Sequence, residues 1–394
     1  MRYLCYLCVC IVLLGACTPT AETPTSTVAP TSPDTPTDVV ATDTTSTAEA
    51  SETDDNFDRQ AMLQNLTDTV IVPAHEEFAT RTADLVQATQ TLSDEPTEAN
   101  LEATQQAWQE ALIAWQPLML YEVDNIRLTV TRSGINKWPP NTEFIEDFIA
   151  ERDDIDAEFV GGVGATSRGL PALEYLLFDP AGDNAAVLVA LNERPQRMQY
   201  VVATAQALNN DAENLLQFWS PDGENYAAEF VARDSSGEVM QSAVSELSNE
   251  LVNTLETLVQ TRLGDPLGRS NGGEAQPELA EATLSGAALP AIVSTIAAFQ
   301  KTFTGDAGMG FDDYLDSLEI DTANEPLAER IVQQSESTIA ALEAIETPLH
   351  VAVVEQPEQV EAAYEEARNL LVLAKVDMAG TLGVTLTFGD TDGD

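Results

Sequence analysis

Residues 161–179, GGVGATSRGLPALEYLLFD, combine a glycine-rich entry with one acidic side chain inside an apolar run. Gly169 suits a turn with a positive φ angle, and Pro171 suits the first turn of a helix. Glu174 follows one turn later, where its carboxylate can bind a cation or can simply complement the positive end of the helix dipole. Arg168 can neutralise a carboxylate or hold an anionic ligand. Both interpretations of Glu174 are open at the level of the residues.

Histidine, a common ligand of zinc and iron, occurs only at His75 and His350. No second histidine follows His75 by four residues, as a His-Glu-x-x-His helix requires. We expect both histidines to be surface or helix-capping residues. A zinc peptidase needs two or three nitrogen or sulfur ligands and an activated water, and no Gly-x-Ser-x-Gly elbow, Walker loop or dinucleotide fingerprint occurs. The residues therefore favour a binding protein over an enzyme.

The elements that must position these residues are amphipathic helices. Apolar residues recur at threes and fours along most of the chain, for example at Val244, Leu247, Leu251, Leu255 and Leu258. This period predicts an all-α fold built of helix bundles. The length exceeds what one core usually serves, so we expect two halves, roughly 57–235 and 236–394.

Two further features of the helical pattern lead to local predictions. Trp108 and Trp115 lie on apolar stripes and are expected in the core. Pro73 and Pro117 lie inside helical patterns and should kink or restart those helices.

Five stretches, taken in order, are similar to the signature segments of one family. They are 136–139 (NKWP), 168–178 (RGLPALEYLLF), 263–268 (LGDPLG), 281–289 (EATLSGAAL) and 382–394 (LGVTLTFGDTDGD). On these segments the chain resembles the imelysin-like family, whose central motif reads Gly-x-His-x-x-Glu. Residues 57–135 fit that family in helical pattern only.

The resemblance implies two bundle-like helical halves with a cleft between them, a cell-envelope location and a link to iron uptake. Pro171 stands where the motif has histidine, and its side chain has no donor atom. Only Glu174, with Gly169 as backbone, carries over from the motif itself. We expect Trp138, Arg168 and Ser285 to line a ligand site, and Glu281 to join Glu174 in binding a divalent or ferric cation.

The chain is strongly acidic, with 17 basic and 66 acidic residues and a net charge of -49. Nucleic acid is excluded as a partner, because phosphate binding needs clustered Lys and Arg. Most of this charge is explained by solubility or by adaptation to salt water. The tail 390–394, DTDGD, resembles half of a calcium loop but ends before a twelfth-position glutamate, so a solvated acidic end is the simpler interpretation.

The N-terminus predicts a lipid anchor. Residues 1–16 have a basic Arg2, an apolar run and Leu14-Gly15-Ala16 before Cys17, which is the pattern of a bacterial lipoprotein signal peptide. Residues 17–56 would then be the lipidated Cys17 and a disordered Thr/Pro/Ser-rich tether, since this composition cannot bury a core. The protein would face the periplasm or the cell surface, with the outer membrane slightly preferred.

The leading hypothesis is an envelope lipoprotein that binds a cation or a cation-bearing ligand and works with metal-uptake components. A metallopeptidase is the first alternative, because some members of the resembling family were described as such. A surface scaffold or adhesion protein with a vestigial site is the second. Metal content and cleavage of unfolded substrates would separate the three.

Overall fold

The computed structural model describes five stretches with side chains and one with backbone only. They are 57–123, 131–233, 242–306, 308–318 and 325–386, with the backbone of 321–322. The predicted signal peptide 1–16, Cys17, the predicted tether to residue 56 and the acidic tail 390–394 lie outside the described residues.

The regular secondary structure of the described chain is helical apart from one antiparallel pair of two-residue strands, which confirms the all-α prediction. The strands are β1 (Asp321–Thr322) and β2 (Glu325–Pro326). The α-helices are α1 (Arg59–Leu66), α2 (Val72–Asp94), α3 (Glu98–Trp115), α4 (Thr142–Glu151), α5 (Ala157–Gly162), α6 (Gly169–Leu177), α7 (Asn184–Glu193), α8 (Pro195–Trp219), α9 (Tyr226–Arg233), α10 (Ala243–Thr257), α11 (Ala288–Thr304), α12 (Phe311–Ser317), α13 (Leu327–Glu343), α14 (Leu349–Glu355), α15 (Pro357–Val372) and α16 (Ala379–Thr381). No helix in these stretches is both long and apolar enough to cross a bilayer.

Side-chain caps explain where many of these helices begin. A short polar side chain accepts a hydrogen bond from a backbone N–H of the first turn, which satisfies a donor that the helix itself leaves unpaired. The capping residues are Asp58, Thr97, Asn141, Asp156, Asp183 and Ser242.

Short 3-10 and π-helical segments extend or connect the α-helices. The 3-10 segments are Gln116–Tyr121, Ala165–Ser167 and Pro277–Leu279, and the π segments are Thr67–Ile71, Leu258–Gly264 and Leu373–Met378. Pro73 lies in the first turn of α2, directly after a π segment, and Pro117 lies in the first turn of a 3-10 segment after α3. Both prolines therefore sit where a helix restarts, as predicted.

The described helices belong to one compact unit, and their contacts concentrate in two groups of helices. In the N-terminal group α2 packs against α3 and α8, and α5 and α6 also pack on α8. In the C-terminal group α11 packs against α13, and α13 against α15. The predicted apolar stripes face inward, and Trp108 and Trp115 are buried in the core. Each fully buried large apolar side chain contributes about 1.5–3 kcal/mol of hydrophobic free energy.

The 3-10 segment Gln116–Tyr121 joins the two groups, because it packs against α2 and α3 of the N-terminal group and against α11 of the C-terminal group. The Thr254 hydroxyl donates to the Met119 carbonyl at 3.0 Å. The Tyr121 hydroxyl lies 2.8 Å from the Thr302 hydroxyl. These two polar contacts connect the segment to α10 and α11 with more specific geometry than apolar packing alone.

Candidate functional site

The start of α6 requires glycine at position 169. Gly169 has φ of 74°, the left-handed region that residues with a Cβ avoid. A Cβ at this position would lie 2.8 Å from the Ile135 carbonyl carbon and closer still to the carbonyl oxygens of Gly134 and Ile135. The backbone of 134–135 is therefore pressed against the first residue of α6, and this contact sets the position of the helix that carries Glu174.

Glu174 is buried, with 2 % of the residue exposed. Its Oε1 accepts hydrogen bonds from the Ser285 backbone N–H at 2.8 Å and the Ser285 hydroxyl at 2.6 Å. Burial raises the pKa of the Glu174 carboxyl, and the hydrogen bonds from Ser285 oppose that rise. Glu174 lies beyond the first turn of α6 and binds a segment 111 residues away, so its interpretation as a helix-start residue is wrong.

Ser285 lies in the turn 281–287, which leads into α11. Ala282 and Gly286 in this turn have positive φ values of 49° and 71°. The Ser285 hydroxyl also accepts from the Ala287 N–H at 3.3 Å. The sharp turn thereby presents the N–H and the hydroxyl of Ser285 to the same carboxylate oxygen.

Glu281, at the other end of this turn, is paired with Arg262. The Arg262 Nε donates to Glu281 Oε2 at 3.0 Å, and its Nη1 donates to the Thr295 hydroxyl at 2.9 Å. Arg262 is buried in the π segment Leu258–Gly264, whereas 24 % of the Glu281 side chain is exposed. The turn is thus held from the N-terminal group by Glu174 and from the C-terminal group by Arg262.

Arg168 neutralises a carboxylate, as expected, but that carboxylate is Asp211 on α8. Its Nη2 lies 2.9 Å from Asp211 Oδ2, and its Nη1 donates to the Gly161 carbonyl at 2.6 Å. Burial raises the pKa of Asp211 to about 6, against the opposing effect of Arg168. Within the described chain Arg168 makes no ion pair with Glu174 or Glu281, so it does not join the turn at Ser285.

Trp138 is half-buried, and its indole N–H donates to the Asn136 side-chain oxygen at 2.8 Å. The bond between Trp138 and Pro139 is cis. Among the predicted site residues the structure therefore joins Glu174 to Ser285 directly. Gly169 positions the helix that carries Glu174, and Glu281 lies at the other end of the turn that carries Ser285. Trp138 and Arg168 have other hydrogen-bond partners.

The prediction that His75 lies at the surface or caps a helix is wrong, because His75 is fully buried in α2. Its Nδ1 lies 2.8 Å from the Ile71 carbonyl oxygen. Because a carbonyl oxygen only accepts, Nδ1 carries the proton of the neutral ring and Nε2 is the unprotonated nitrogen. Burial lowers the pKa of His75 to about 3. His350 is half-buried in the first turn of α14, where burial also lowers its pKa.

The donor set at Glu174 does not fit a zinc or iron peptidase centre. Pro171, one turn before Glu174, is buried and supplies no ligand atom. In the part of the chain that the structure describes, no three His, Cys, Asp or Glu side chains lie close enough to hold a metal ion together. A catalytic zinc needs three such protein ligands, and His75 is held in the core of α2.

A sequence model of imelysin matches residues 71–375, which is most of the chain. The chain belongs to the imelysin family. The family resemblance drawn from the five signature segments is thereby confirmed. Within the family, this imelysin differs from the resembling motif at Pro171, which the structure places in the first turn of α6.

One curated relative of this imelysin is iron-regulated protein A of Synechococcus elongatus. The two are 27 % identical over 214 residues, which cover 52 % of this chain and 54 % of that protein. The chain thus matches about half the length of this relative.

Two solved structures share the fold. An imelysin-like protein from Psychrobacter arcticum superposes with a TM-score of 0.68 at 19 % identity, covering 84 % of this chain and 96 % of that one. A putative iron-regulated protein A precursor from Parabacteroides distasonis superposes with a TM-score of 0.66 at 16 % sequence identity, and the match covers 82 % of this chain and 94 % of that one. At these identities the likeness establishes the fold alone.

Proposed function

We propose that this imelysin is a cell-envelope binding protein with a role in iron uptake and without peptidase activity. Two observations support the proposal: a relative that carries the name iron-regulated protein A, and a motif in which proline replaces the metal-binding histidine. Its ligand is a divalent or ferric cation, free or carried by a small chelator. Metal-uptake components of the envelope are its partners.

The observation that carries the ligand assignment is the pair of carboxylates that flank the turn 281–287. Glu281 keeps part of its side chain in solvent and is the first carboxylate that an arriving cation meets. The Glu174 Oε1 becomes available to the cation when the cation displaces the two Ser285 donors. A cation held by the two carboxylates would offset the cost of burying Glu174 as an anion.

The anchor in this proposal is a diacylglycerol on Cys17, with residues 18–56 as a tether that holds the folded body clear of the membrane. Cys17→Ser removes the thiol that would be alkylated. We expect the variant to leave the membrane fraction or to remain unprocessed, with a matching change in mass. Unchanged fractionation and unchanged mass would refute lipidation.

The ligand assignment is tested by isothermal titration of the mature chain with Fe²⁺ under anaerobic conditions, ferric citrate, Mn²⁺, Zn²⁺ and Ca²⁺. Glu174→Gln and Glu281→Gln should each lower the affinity for the ion by at least about tenfold, because each removes a charged ligand. Glu256→Gln is the matched control. Glu256 is also in an ion pair, with Lys375 at 2.8 Å, and its side chain is 27 % exposed, similar to Glu281. Equal affinities in all variants would refute the shared site.

The same preparations decide between the alternatives. Chelator-sensitive cleavage of unfolded substrates that is lost in Glu174→Gln would establish a metallopeptidase. The absence of any bound ion or ligand would favour a scaffold or adhesion protein.

A further inference from the structure

The loop 268–274 holds a side chain and a backbone nitrogen that can react with each other. Its sequence, GRSNGGE, contains the pair Asn271-Gly272, and asparagine is followed by glycine at this position alone in the chain. In such a pair the glycine nitrogen can attack the amide carbon of the asparagine side chain and close a succinimide ring. Glycine favours this attack, because it has no Cβ to obstruct its nitrogen and it adopts backbone angles that other residues avoid.

The reacting groups of this pair are accessible and unbonded. Asn271 and the two glycines after it are exposed. Within the described chain the Asn271 side chain makes no hydrogen bond, and the Gly272 N–H has no acceptor. The amides on either side, those of Asn271 and Gly273, both donate to the Gly268 carbonyl at 2.9 Å. The nitrogen that would attack is therefore not engaged in a bond that the reaction must first break.

The tip of the loop also has room to move. Gly272 and Gly273 have positive φ values of 68° and 90°, and a Cβ at either position would meet nothing within 4 Å. Glycine populates positive and negative φ about equally well. The Gly272 nitrogen can therefore turn toward the Asn271 side chain without displacing a packed group.

The base of the loop is anchored, so a reaction at the tip does not require unfolding. Arg269 forms an ion pair with Glu361, and its guanidinium carbon lies 4.7 Å from the centre of the Tyr364 ring. The Gln276 N–H donates to the Pro266 carbonyl at 2.8 Å and closes the loop from the other side.

A second acidic or amide residue followed by glycine, Asp222, has the opposite surroundings. The Gly223 N–H donates to the Ser220 carbonyl at 2.9 Å. A Cβ on Gly223 would overlap the Gln217 carbonyl, so this glycine is packed against backbone. The peptide after Asp222 is thus held by a bond and by packing that the peptide after Asn271 lacks.

We propose that Asn271 is a site of spontaneous covalent modification, at which the folded protein converts asparagine to aspartate and isoaspartate. The Gly272 nitrogen bonds to the Asn271 side-chain carbonyl carbon, its proton passes through solvent to the side-chain nitrogen, and that nitrogen leaves as ammonia. A water molecule then opens the succinimide at one of its two carbonyls, which gives aspartate or isoaspartate. No oxidant, reductant or enzyme is required.

The modification changes the loop tip and leaves its base in place. Either product adds a negative charge, and the isoaspartyl product also inserts a methylene into the backbone between the two amides that donate to Gly268. Because the reaction is irreversible and slow, position 271 records the age of the molecule. The loop shares no residue with the proposed cation site, so either proposal can fail alone.

The test compares two Asn-Gly pairs in one molecule. The mature chain carrying Cys17→Ser also receives Asp222→Asn, an exchange at an exposed position that places a second Asn-Gly pair where the glycine is held. The protein is kept at physiological temperature in mildly alkaline buffer, with and without urea. Peptide mapping by mass spectrometry follows both positions, and an isoaspartyl methyltransferase identifies the isoaspartate.

In the folded protein, position 271 should be converted at least about tenfold faster than position 222, because position 222 reacts only after local opening. In urea, where neither loop is folded, the two rates should converge. Asn271→Gln is the control, since its longer side chain would have to close a larger and less favourable ring. It should abolish conversion at position 271 and leave the rate at position 222 unchanged, and circular dichroism confirms that each variant is folded.

The proposal is overturned if position 271 stays intact in the folded protein while it reacts in urea. It is also overturned if position 222 is converted as fast as position 271 in the folded protein.

Discussion

Two buried polar regions of this imelysin are built in opposite ways. At Glu174 a buried carboxylate has its charge stabilised by two donors from Ser285. Around His75 the buried atoms His75 Nε2, Trp219 Nε1 and Arg132 Nε have no hydrogen-bond partner in the described chain. The His75 ring lies 5.6 Å from the Trp219 ring, and Arg132 is close enough to lower its pKa further. Burial disfavours the charged form in both regions, but Glu174 is an acid that accepts two hydrogen bonds on one oxygen, whereas His75 is a base whose Nε2 has no partner in the described chain.

This difference predicts opposite responses to pH. The pKa of His75 is about 3 in the folded protein against 6.5 for a free histidine, so between these values the unfolded chain binds the extra proton and acid destabilises the fold. The pKa of Glu174 is raised in the folded protein, so the folded chain binds the extra proton there. Its contribution to stability therefore falls as pH rises through the raised pKa.

The largest effect is expected from Gly169→Ala, which disturbs the contact between the backbone of 134–135 and the start of α6, the helix that carries Glu174. The positive φ and the overlap with the carbonyls of Gly134 and Ile135 should cost about 3 kcal/mol or more. Gly162→Ala is the control, because a Cβ there meets nothing within 4 Å. Urea unfolding of both variants measures the difference. Equal free energies of unfolding for the two variants would show that the backbone at the start of α6 accommodates a Cβ without loss of stability.

The His75 region is tested by His75→Phe, which retains an aromatic ring beside Tyr121 and Trp219. Between pH 6.5 and 5 the unsubstituted protein should lose about 2 kcal/mol relative to the variant, since one proton is linked to unfolding. Urea titrations at several pH values yield this slope. Parallel pH curves for the two proteins would mean that His75 is not the linked group.

Ser285→Ala removes one of the two donors to Glu174 while its backbone N–H remains. The expected loss is about 1.5 kcal/mol at neutral pH, the contribution of a hydrogen bond to a charged group. Ser270→Ala is a suitable comparison, because the Ser270 hydroxyl donates to Asp265 at an exposed site. If both substitutions cost the same, burial does not strengthen the Glu174 contact.

The smallest effect is expected from Glu174→Gln, which removes the charge and leaves an oxygen for Ser285. The variant should gain stability relative to the unsubstituted protein as pH rises, opposite in sign to His75→Phe. Thermal midpoints without added metal suffice to detect the direction. If the stability of both variants, relative to the unsubstituted protein, changed with pH in the same direction, the predicted difference between the two regions would be wrong.

The all-α fold could be predicted from the sequence, because helical periodicity is visible in a single sequence without relatives. The stripe through Leu247, Leu251 and Leu255 is buried as predicted. The same periodicity contained a missed signal at His75, which lies four residues after Ile71 and three before Phe78 on the buried face of α2. Its place on this stripe indicates burial, whereas its residue type alone suggests a surface position.

The site was less accessible to prediction, because its contacts join distant segments. The signature segments placed Glu174 and Ser285 in one site, but no local pattern shows a hydrogen bond across 111 residues. Asp211 as the partner of Arg168 depends on how α8 crosses the start of α6. Arg262 follows Leu258 by four residues on a buried stripe, and that spacing could have marked it as a buried cation.

Trp138 provides this imelysin with an optical reporter of its own. Of the four tryptophans, Trp108, Trp115 and Trp219 are buried, and Trp138 is half-buried beside the segment whose carbonyls press against Gly169. A collisional quencher such as acrylamide, dissolved in water, reaches this indole far more readily than the other three. The quenchable part of the native emission therefore monitors the segment that supports α6, with no label attached.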